Sequence, residues 1–499
     1  MKILNRKQKL KLNTVTSLAN QIVLIVCGFV VPVLILHAFG SAVNGLVNSI
    51  TQFLGFISLL ELGVGAVVQS ALYKPLADKD NASISRIYVS ANRFFRMIAI
   101  ILLVYIVLLM LFYPAIVSSE FDWLFSASLI GCIAISLFAQ YYFGVVNTLL
   151  LNSDQRSYVQ NIISVATQIL NVAACVVLIN LGCGIHAVKL VASLIFLLRP
   201  LGMAWYVKKN YDLNRNISYN EEPIKQKWNG IAQHFASVVL SNTDVVVLTL
   251  FSTLTNVSIY SVYNLVVSGL KQMIFSMMSG IQALMGELWV KQQLSELNKL
   301  FGWVEWFMHT GAVAVWGCTV ALIVPFVQVY TAGINDADYV VPLFAMLISY
   351  AHMGHCLRLP YNLMILVGGH YRETQSNYIV AAVMNIVISV LAVHAWGLIG
   401  VALGTICAMF YQTFWMANYI SKNLLKWPIK CFLKQFFVDL ISLVLIYKST
   451  AWIELGDVSY FAWGIMALKV VLVAFVGLLA VNIIFYKANL IALWNKIKT

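Results

Sequence analysis

Residues Ala19–Phe39 read ANQIVLIVCGFVVPVLILHAF and residues Ile98–Phe112 read IAIILLVYIVLLMLF, without one Asp, Glu, Lys or Arg in either run. A helix needs about 20 such residues to cross the ~30 Å hydrocarbon core of a bilayer, and the first run has that length. In lipid every backbone polar group needs an internal partner, so only helices or a closed barrel can span. Barrel strands would alternate apolar and polar residues over segments of about ten, and these runs do not alternate. The fold class is therefore all-α integral membrane. Composition extends this to the whole chain: of 499 residues 61% are hydrophobic and 10% charged, with a mean hydropathy of +0.85. Soluble domains carry about 25% charged residues, so the solvent for most of this surface is lipid.

The same pattern predicts about fourteen transmembrane helices, at 14–39, 43–72, 92–117, 123–150, 158–181, 184–207, 229–252, 256–285, 302–329, 339–368, 375–395, 397–420, 432–453 and 460–486. The basic residues fix an orientation. Of the 32 Lys and Arg, 26 fall in the termini and alternate connections that share one side, whereas Lys448 alone falls between spans on the other. That other side carries Glu120, Asp122, Asp336, Asp338, Glu454 and Asp457. The positive-inside rule then places both termini in the cytoplasm. The net charge of +13 follows from this topology and from attraction to an anionic inner leaflet, with no nucleic-acid partner required. The basic start Met1–Lys11 precedes an apolar run too long for a signal-peptide core and lacking a small-residue cleavage site, so it is read as a retained first helix. The eight cysteines are scattered with no Cys-x-x-Cys pair, and read as small buried hydrophobes.

The chain also repeats. Asn171, Gly182 and Lys208 find counterparts in Asn385, Gly397 and Lys422. Six spans separate the copies, so both halves share one orientation, and such parallel repeats place a substrate path at their interface. The expected organisation is an N-lobe of six spans (1–207), a cytoplasmic inter-lobe loop (208–228), a C-lobe of six spans (229–420), and two further helices with a tail (421–499). Outside the loop 208–228 the connections are short, leaving no room for a soluble catalytic domain.

Several spans present polar or small residues on one helical face at about 100° per residue. Span one offers Thr14, Ser17, Gln21 and Gly28; span two Ser58, Glu61, Gly65 and Gln69. Span seven offers Gly230, Gln233, Ser237, Ser241 and Asp244, next to Asn242; span eight Asn264, Ser268, Lys271, Ser279 and Gln282. Gln21, Gln69, Asn242, Asn264 and Gln282 are the expected cavity-lining residues. Such stripes also serve simply to pack helices, and span five (Gln160, Ser164, Thr167, Asn171) has one too. Charge discriminates better, since an ion inside the bilayer is expensive unless it faces water or a partner. Lys189, Arg199, Lys271, Arg358 and Lys469 fall within spans, against Glu61 and Asp244, with Glu305 and Asp439 near cytoplasmic ends. Lys189 and Lys469 are placed to snorkel; Lys271 and Arg358 lie mid-span. A structural pair such as Lys271 with Glu61 is the alternative use of these charges. Taken together the excess of cations suits an anion, with Arg358, Lys271 and Arg199 as its binding residues and Arg able to hold phosphate bidentately. His352-Met-Gly-His355-Cys356 has an i, i+3 His pair, but neighbouring helical positions point about 100° apart and no carboxylate lies within a turn, so cavity lining is favoured over a metal site. There is no phosphate-binding Gly-rich loop, nucleophile elbow or paired-carboxylate loop motif. Neither a cofactor nor an enzymatic activity is expected.

Further stretches carry a family resemblance: Leu60-Glu61-Leu62-Gly63-Val64-Gly65 with Leu72-Tyr73-Lys74-Pro75, Gln155-Arg156-Ser-Tyr158, Ser241-Asn242-Thr-Asp244, and above all Gly369-His370-Tyr371-Arg372-Glu373-Thr374 with Asn385 and Gly397-Leu-Ile-Gly400-Val-Ala-Leu-Gly404-Thr405. Over essentially its whole length the chain resembles an O-antigen or capsule flippase (Wzx-like) of the polysaccharide biosynthesis family, within the multidrug/oligosaccharidyl-lipid/polysaccharide exporter superfamily. The resemblance implies two six-helix lobes around a V-shaped cavity lined by spans one, two, seven and eight. It implies an undecaprenyl-diphosphate-linked oligosaccharide as substrate, flipped from inner to outer leaflet of a bacterial inner membrane by alternating access. It further implies polysaccharide polymerase and export machinery as partners, and coupling to an ion gradient, for which Asp244 and Glu61 are the candidates. The rivals are a multidrug or cation antiporter of the same superfamily, whose cavity would be acidic and aromatic, and a lipid II flippase, which carries a similar diphosphate lipid. A membrane enzyme such as an O-antigen polymerase would need a large outer loop, and the outer segments here are short.

Overall fold

The computed structural model describes residues 6–61, 63–217, 231–425 and 427–498. The chain divides into two compact units, Met1–Val238 and Val239–Thr499. The first holds α1 (Arg6–Gly55), a 3₁₀ turn (Phe56–Glu61), α2 (Val64–Asp78), α3 (Asn81–Ile116), α4 (Trp123–Ala139), a π-helical segment (Gln140–Gly144), α5 (Val145–Ser153), α6 (Ser157–Asn180) and α7 (Ile185–Asn210). The boundary falls inside α8 (Ile231–Phe251). The second unit continues with α9 (Leu254–Val290), α10 (Leu294–Tyr330), α11 (Pro342–Leu357), α12 (Leu359–Val367), α13 (Tyr371–Trp396) and α14 (Leu398–Asn423), then α15 (Ile429–Thr450), α16 (Tyr460–Phe485) and α17 (Lys487–Lys498). Nine helices among the described residues are long and apolar enough to cross a membrane. The protein is a multi-pass, all-helical membrane protein.

Local chemistry sets the helix ends. Asp80 accepts hydrogen bonds from the amides of Ala82 and Ser83 at 3.1 and 3.0 Å, and Thr253 caps α9 through Asn256 N at 3.1 Å; each satisfies amides that a helix start leaves orphaned. Outward faces are apolar: Phe112, Leu391, Phe475 and Ile484 are each more than half exposed, which suits lipid as the solvent. Within the first unit, α1 packs along α6, and α4 along α3 and α7. At one end Asp154 gathers Lys9 (3.1 Å), Arg156 (2.7 Å) and the Tyr211 hydroxyl (2.6 Å), tying the start of α1 to the start of α6. In the second unit α13 and α14 form the closest pair. A Cβ added at Gly400 would lie 2.4 Å from the Ala392 carbonyl, and one at Gly404 would lie 2.1 Å from Ser389 Oγ and 2.8 Å from the Asn385 carbonyl. Glycine there allows two backbones to touch.

The structure departs from the sequence reading in particular places. Spans one and two, expected as separate helices, meet at a kink within α1, where Gly40 (φ 83°, ψ 175°) leaves helical geometry between the two expected spans. Span two, expected unbroken over 43–72, is interrupted by the 3₁₀ turn and by Gly63 at φ 74°, a left-handed conformation that a Cβ disfavours. Span ten, expected unbroken over 339–368, splits at Arg358 into α11 and α12. Pro360 explains the split: it has no N–H for the carbonyl four residues back, and its ring crowds that turn. The expected tail after Phe485 forms a helix, α17, with Ile491 and Trp494 exposed and Lys487, Lys496 and Lys498 in its sequence, the composition of a helix that lies along a membrane surface.

Candidate transport site

The second unit brings two of the three expected substrate cations together. Lys271 on α9 and Arg358 at the α11–α12 junction lie within electrostatic reach of each other and of Cys356, both act on His355, and Lys271 also feels the Asp244 carboxylate. His352 and His355 lie one turn apart on α11, their rings tilted to one another with centroids 5.8 Å apart, as i, i+3 spacing allows. Arg358 Nη2 lies 3.4 Å from His355 Nδ1, while buried Nη1 meets no acceptor. The ion pairs among the described residues are Lys9 and Arg156 with Asp154, Lys291 with Glu287, Lys299 with Glu296, and His309 with Asp439. Neither Lys271 nor Arg358 takes part in one. A desolvated guanidinium with spare donors and no carboxylate is a costly arrangement, and a phosphate ligand would relieve it. Among the described residues no three His, Cys, Asp or Glu side chains are arranged to hold a metal ion.

Asp244 on α8 is buried and lies 2.9 Å from Thr405 Oγ1 through either carboxylate oxygen. The Tyr260 hydroxyl donates to it at 2.9 Å. Asn385 Nδ2 donates to Thr405 Oγ1 at 2.9 Å, whereas the buried Asn385 Oδ1 has no partner. Val401 O stands 3.4 Å from the Thr405 hydroxyl. The Asp244 carboxylate, the Thr405 and Tyr260 hydroxyls and the Val401 carbonyl thus converge where α8, α9 and α14 meet, with the Asn385 side chain of α13 donating to Thr405. Hard cations prefer oxygen donors of this kind. The close approach of α13 and α14 at Gly400 and Gly404 is what brings Asn385 and Thr405 together.

Arg199, the third expected cation, lies in the first unit, in a cavity of its own. Its Nε donates to Thr167 Oγ1 at 2.7 Å, its guanidinium sits 4.4 Å from the Phe196 ring centroid, and its buried Nη2 is unpartnered. The cavity, about 450 Å³, is lined also by Thr51, Ser136, Gln140, Gln160 and Ser164. The Gln160 and Ser164 stripe of span five therefore faces the same cavity as Arg199. Glu61 sits at the end of the 3₁₀ turn and accepts a hydrogen bond from the Tyr141 hydroxyl of the π-helical segment. Glu61 belongs to the first unit and Lys271 to the second.

Among the expected lining residues, Gln69, Asn242, Asn264 and Gln282 are half-buried and Gln21 is exposed; Ser268 Oγ donates to Asn264 Oδ1 at 2.9 Å. Residues 218–228 of the inter-lobe loop, with Asn229 and Gly230, lie outside the described residues, as do the side chains of Gln233, Ser237, Ser241 and Ser279. Glu305 and Asp439, expected near cytoplasmic ends, are 3% exposed and belong to one buried cluster with His309. The sequence reading did not single out His309. Its i, i+4 spacing from Glu305 was the available signal, but nothing in the sequence points to Asp439, 130 residues away.

No family model and no curated protein matches the sequence. Solved structures do match the fold. The chain is similar to a lipid II flippase, MurJ, in an inward closed conformation, with a TM-score of 0.69 and 14% identity over 96% of this chain and 99% of that one. It is also similar to an inward-facing multidrug resistance MATE family transporter of the MOP superfamily, with a TM-score of 0.61 and 17% identity over 81% of this chain and 95% of that one. A MATE structure in a bent conformation matches with a TM-score of 0.53 and 16% identity over 84% and 96% of the two chains. At these identities the likeness establishes the fold.

Proposed function

We propose that this protein flips a polyprenyl-diphosphate-linked oligosaccharide, an O-antigen or capsule repeat unit, from the inner to the outer leaflet of a bacterial inner membrane. The observation that carries the reading is the proximity of Lys271 and Arg358 to one another and to His355, with neither cation in an ion pair among the described residues and Arg358 Nη1 buried without an acceptor. A diphosphate headgroup would neutralise these charges, and the guanidinium fork would hold one phosphate through two donors. Arg199, with its spare Nη2, would serve a sugar or phosphate oxygen in the first unit. The polyprenyl tail can stay in lipid throughout. The mechanism is alternating access between inward- and outward-open states, with no covalent step. Fourteen crossings with both termini cytoplasmic, in a 1–207 lobe, a 208–228 loop, a 229–420 lobe and a 421–499 extension, fit the basic-residue distribution. Asp244, Asn385 and Thr405 form the coupling site for a hard monovalent cation or a proton, with Glu61 a second acidic candidate. Polymerase and export machinery would receive the product.

Lipid II transport is a second reading with a specific observation behind it. The likeness covers 96% of this chain for the lipid II flippase but 81% for the multidrug transporter, so it extends to more of the chain in the first case. Lipid II presents the same diphosphate chemistry. The cationic cluster disfavours a cation antiporter. The deciding experiment measures the leaflet distribution of undecaprenyl-diphosphate-linked oligosaccharide in cells lacking the protein. Inner-leaflet accumulation cured by the wild-type chain supports the reading. A normal distribution without any redundant flippase overturns it, and accumulation of lipid II instead selects the second reading.

A further inference from the structure

The second unit contains another buried polar cluster, built on α10, α12 and α15 and separate in its residues from Asp244. His309 Nδ1 lies 2.6 Å from Asp439 Oδ2, and its Nε2 lies 3.1 Å from the Tyr361 hydroxyl. The Tyr361 hydroxyl donates to Glu305 Oε1 at 2.6 Å. Trp427 Nε1 donates to Glu305 Oε2 and Gln435 Nε2 to Asp439 Oδ1, both at 3.0 Å. Phe301 and Phe432 pack edge-on against Tyr361. The remaining titratable groups around it are Cys431 and Lys434 on α15 and Tyr486 after α16.

Counting hydrogens defines the state. Tyr361 has one hydroxyl proton and gives it to Glu305, so the Tyr361 oxygen offers His309 only a lone pair. Nε2 must then carry a proton, and with Asp439 ionised so must Nδ1, which faces its carboxylate. The result is an imidazolium between two carboxylates, a buried group of net charge −1. Passing the Nε2 proton to Tyr361, and the Tyr361 proton to Glu305, reverses each hydrogen bond while preserving it. The chain His309–Tyr361–Glu305 can therefore conduct a proton internally. Adding one proton to Glu305 leaves Oε1 accepting from Tyr361 and makes the group neutral, which a low-dielectric interior favours.

One end of this chain reaches open space. A cavity of about 660 Å³ is lined by Glu305, Gln435 and Trp427, with Lys299, Lys434 and Asn489 also in its walls. A water molecule occupies about 30 Å³, so the cavity can hold a column of them. His309 and Asp439 do not line it, which makes Glu305 the point of entry. We propose that Glu305, Tyr361, His309 and Asp439 form a proton-binding site, loaded at Glu305 from this cavity, that ties α15 and α16 to the transport helices. A hydronium in the cavity gives its proton to the Glu305 carboxylate and becomes water; no redox partner is involved. Asp439 fixes α15 to the network, and Trp306 Nε1 donates to Asn482 Oδ1 of α16 at 2.8 Å, so proton binding changes the charge at the point where these two helices join α10.

The test is infrared difference spectroscopy on the full chain in bilayer nanodiscs, with acidification as the only probe. The expected signal is a carbonyl stretch of a protonated carboxylic acid that grows as pH falls and shifts in D₂O. It should be lost in Glu305→Gln and kept in Asp244→Asn, which separates this site from the coupling site proposed above. Tyr361→Phe breaks the internal chain without changing shape, and should move the midpoint by about one pH unit, a tenfold change in proton affinity. Attaching a bulky thiol reagent to Cys431, which lines the cavity, should slow deuterium exchange of the band at least tenfold. A band that survives Glu305→Gln, or no band in the wild type, overturns the site. Unslowed exchange after labelling overturns the cavity as its entry. If Glu305→Gln does not fold, Tyr361→Phe decides, and an unmoved midpoint overturns the proposal.

Discussion

Gly400→Ala tests whether α13 and α14 meet backbone to backbone. The added Cβ would stand 2.4 Å from both the carbon and the oxygen of the Ala392 carbonyl and 2.7 Å from Val393 N. All three are main-chain atoms, so no side chain can swing away. Ordinary carbon contacts begin near 3.4 Å, and α13 must retreat by about 1 Å over at least one turn. Overpacking of this sort costs about 1–3 kcal/mol, and main-chain rigidity puts this case at about 2–3 kcal/mol. Alanine returns about 1 kcal/mol of helix propensity over glycine. The net loss is then about 1–2 kcal/mol. At about 2–4 °C per kcal/mol for a unit of this size, the midpoint should fall by roughly 2–8 °C. The assay is thermal unfolding of the purified chain in detergent, with Gly464→Ala on α16 as control, since a Cβ there meets nothing within 4 Å. That control should hold or raise the midpoint. An equal rise in Gly400→Ala would refute the close packing, and with it the reason Asn385 and Thr405 reach Asp244.

Arg358→Ala should abolish lipid-linked oligosaccharide transport while the chain remains folded and inserted, and Arg358→Lys should restore it only in part because a single ammonium cannot hold phosphate bidentately; leaflet assays in complemented cells measure both. Asp244→Asn and Thr405→Val should each remove the dependence of transport on the driving cation gradient, read in proteoliposomes with the gradient imposed or collapsed. Arg199→Met exchanges a buried cation for an apolar side chain of similar volume, and should leave thermal stability unchanged or raise it by up to about 2 kcal/mol; transport retained at the wild-type rate would remove Arg199 from the substrate path. Hydrogen bonds from Ser83, side chain then backbone, hold the exposed Asp80 carboxyl below its ordinary range. A depressed pKa means the cap is complete above the ordinary carboxylate value of about 4 and is lost as pH falls through the native value. Protection of the Ala82 and Ser83 amides, taken relative to the intrinsic exchange rate at each pH, should fall on acidification in the wild type and stay constant in Asp80→Asn.

The particulars show where sequence reasoning reached and where it stopped. The depth of Arg358 was legible because its place within an apolar run is a one-dimensional property. That a helix break sits at Arg358 was also within reach, since Pro360 follows two residues on, but span ten was drawn unbroken across it. The glycines at 397, 400 and 404 were visible in the stretch that carries the family resemblance. Their use, to let Asn385 and Thr405 close on Asp244, was not, because it depends on α8 packing beside α13 and α14. Arg199 was grouped with Lys271 and Arg358 by charge and depth alone; only the fold places it in a different unit, with Thr167 and Phe196 as neighbours. Glu305 and Asp439 looked like end-of-span charges because hydropathy says nothing about which helix faces them.

By itself the sequence determined that this protein lives in lipid, that it is helical throughout, and which charges must be reconciled with the bilayer. These follow from the cost of exposing backbone and ions to hydrocarbon, a cost set residue by residue. Which charges find one another was decided only by tertiary structure. The partners of His309 lie 52 and 130 residues away, and only side-chain packing between helices determines which faces meet.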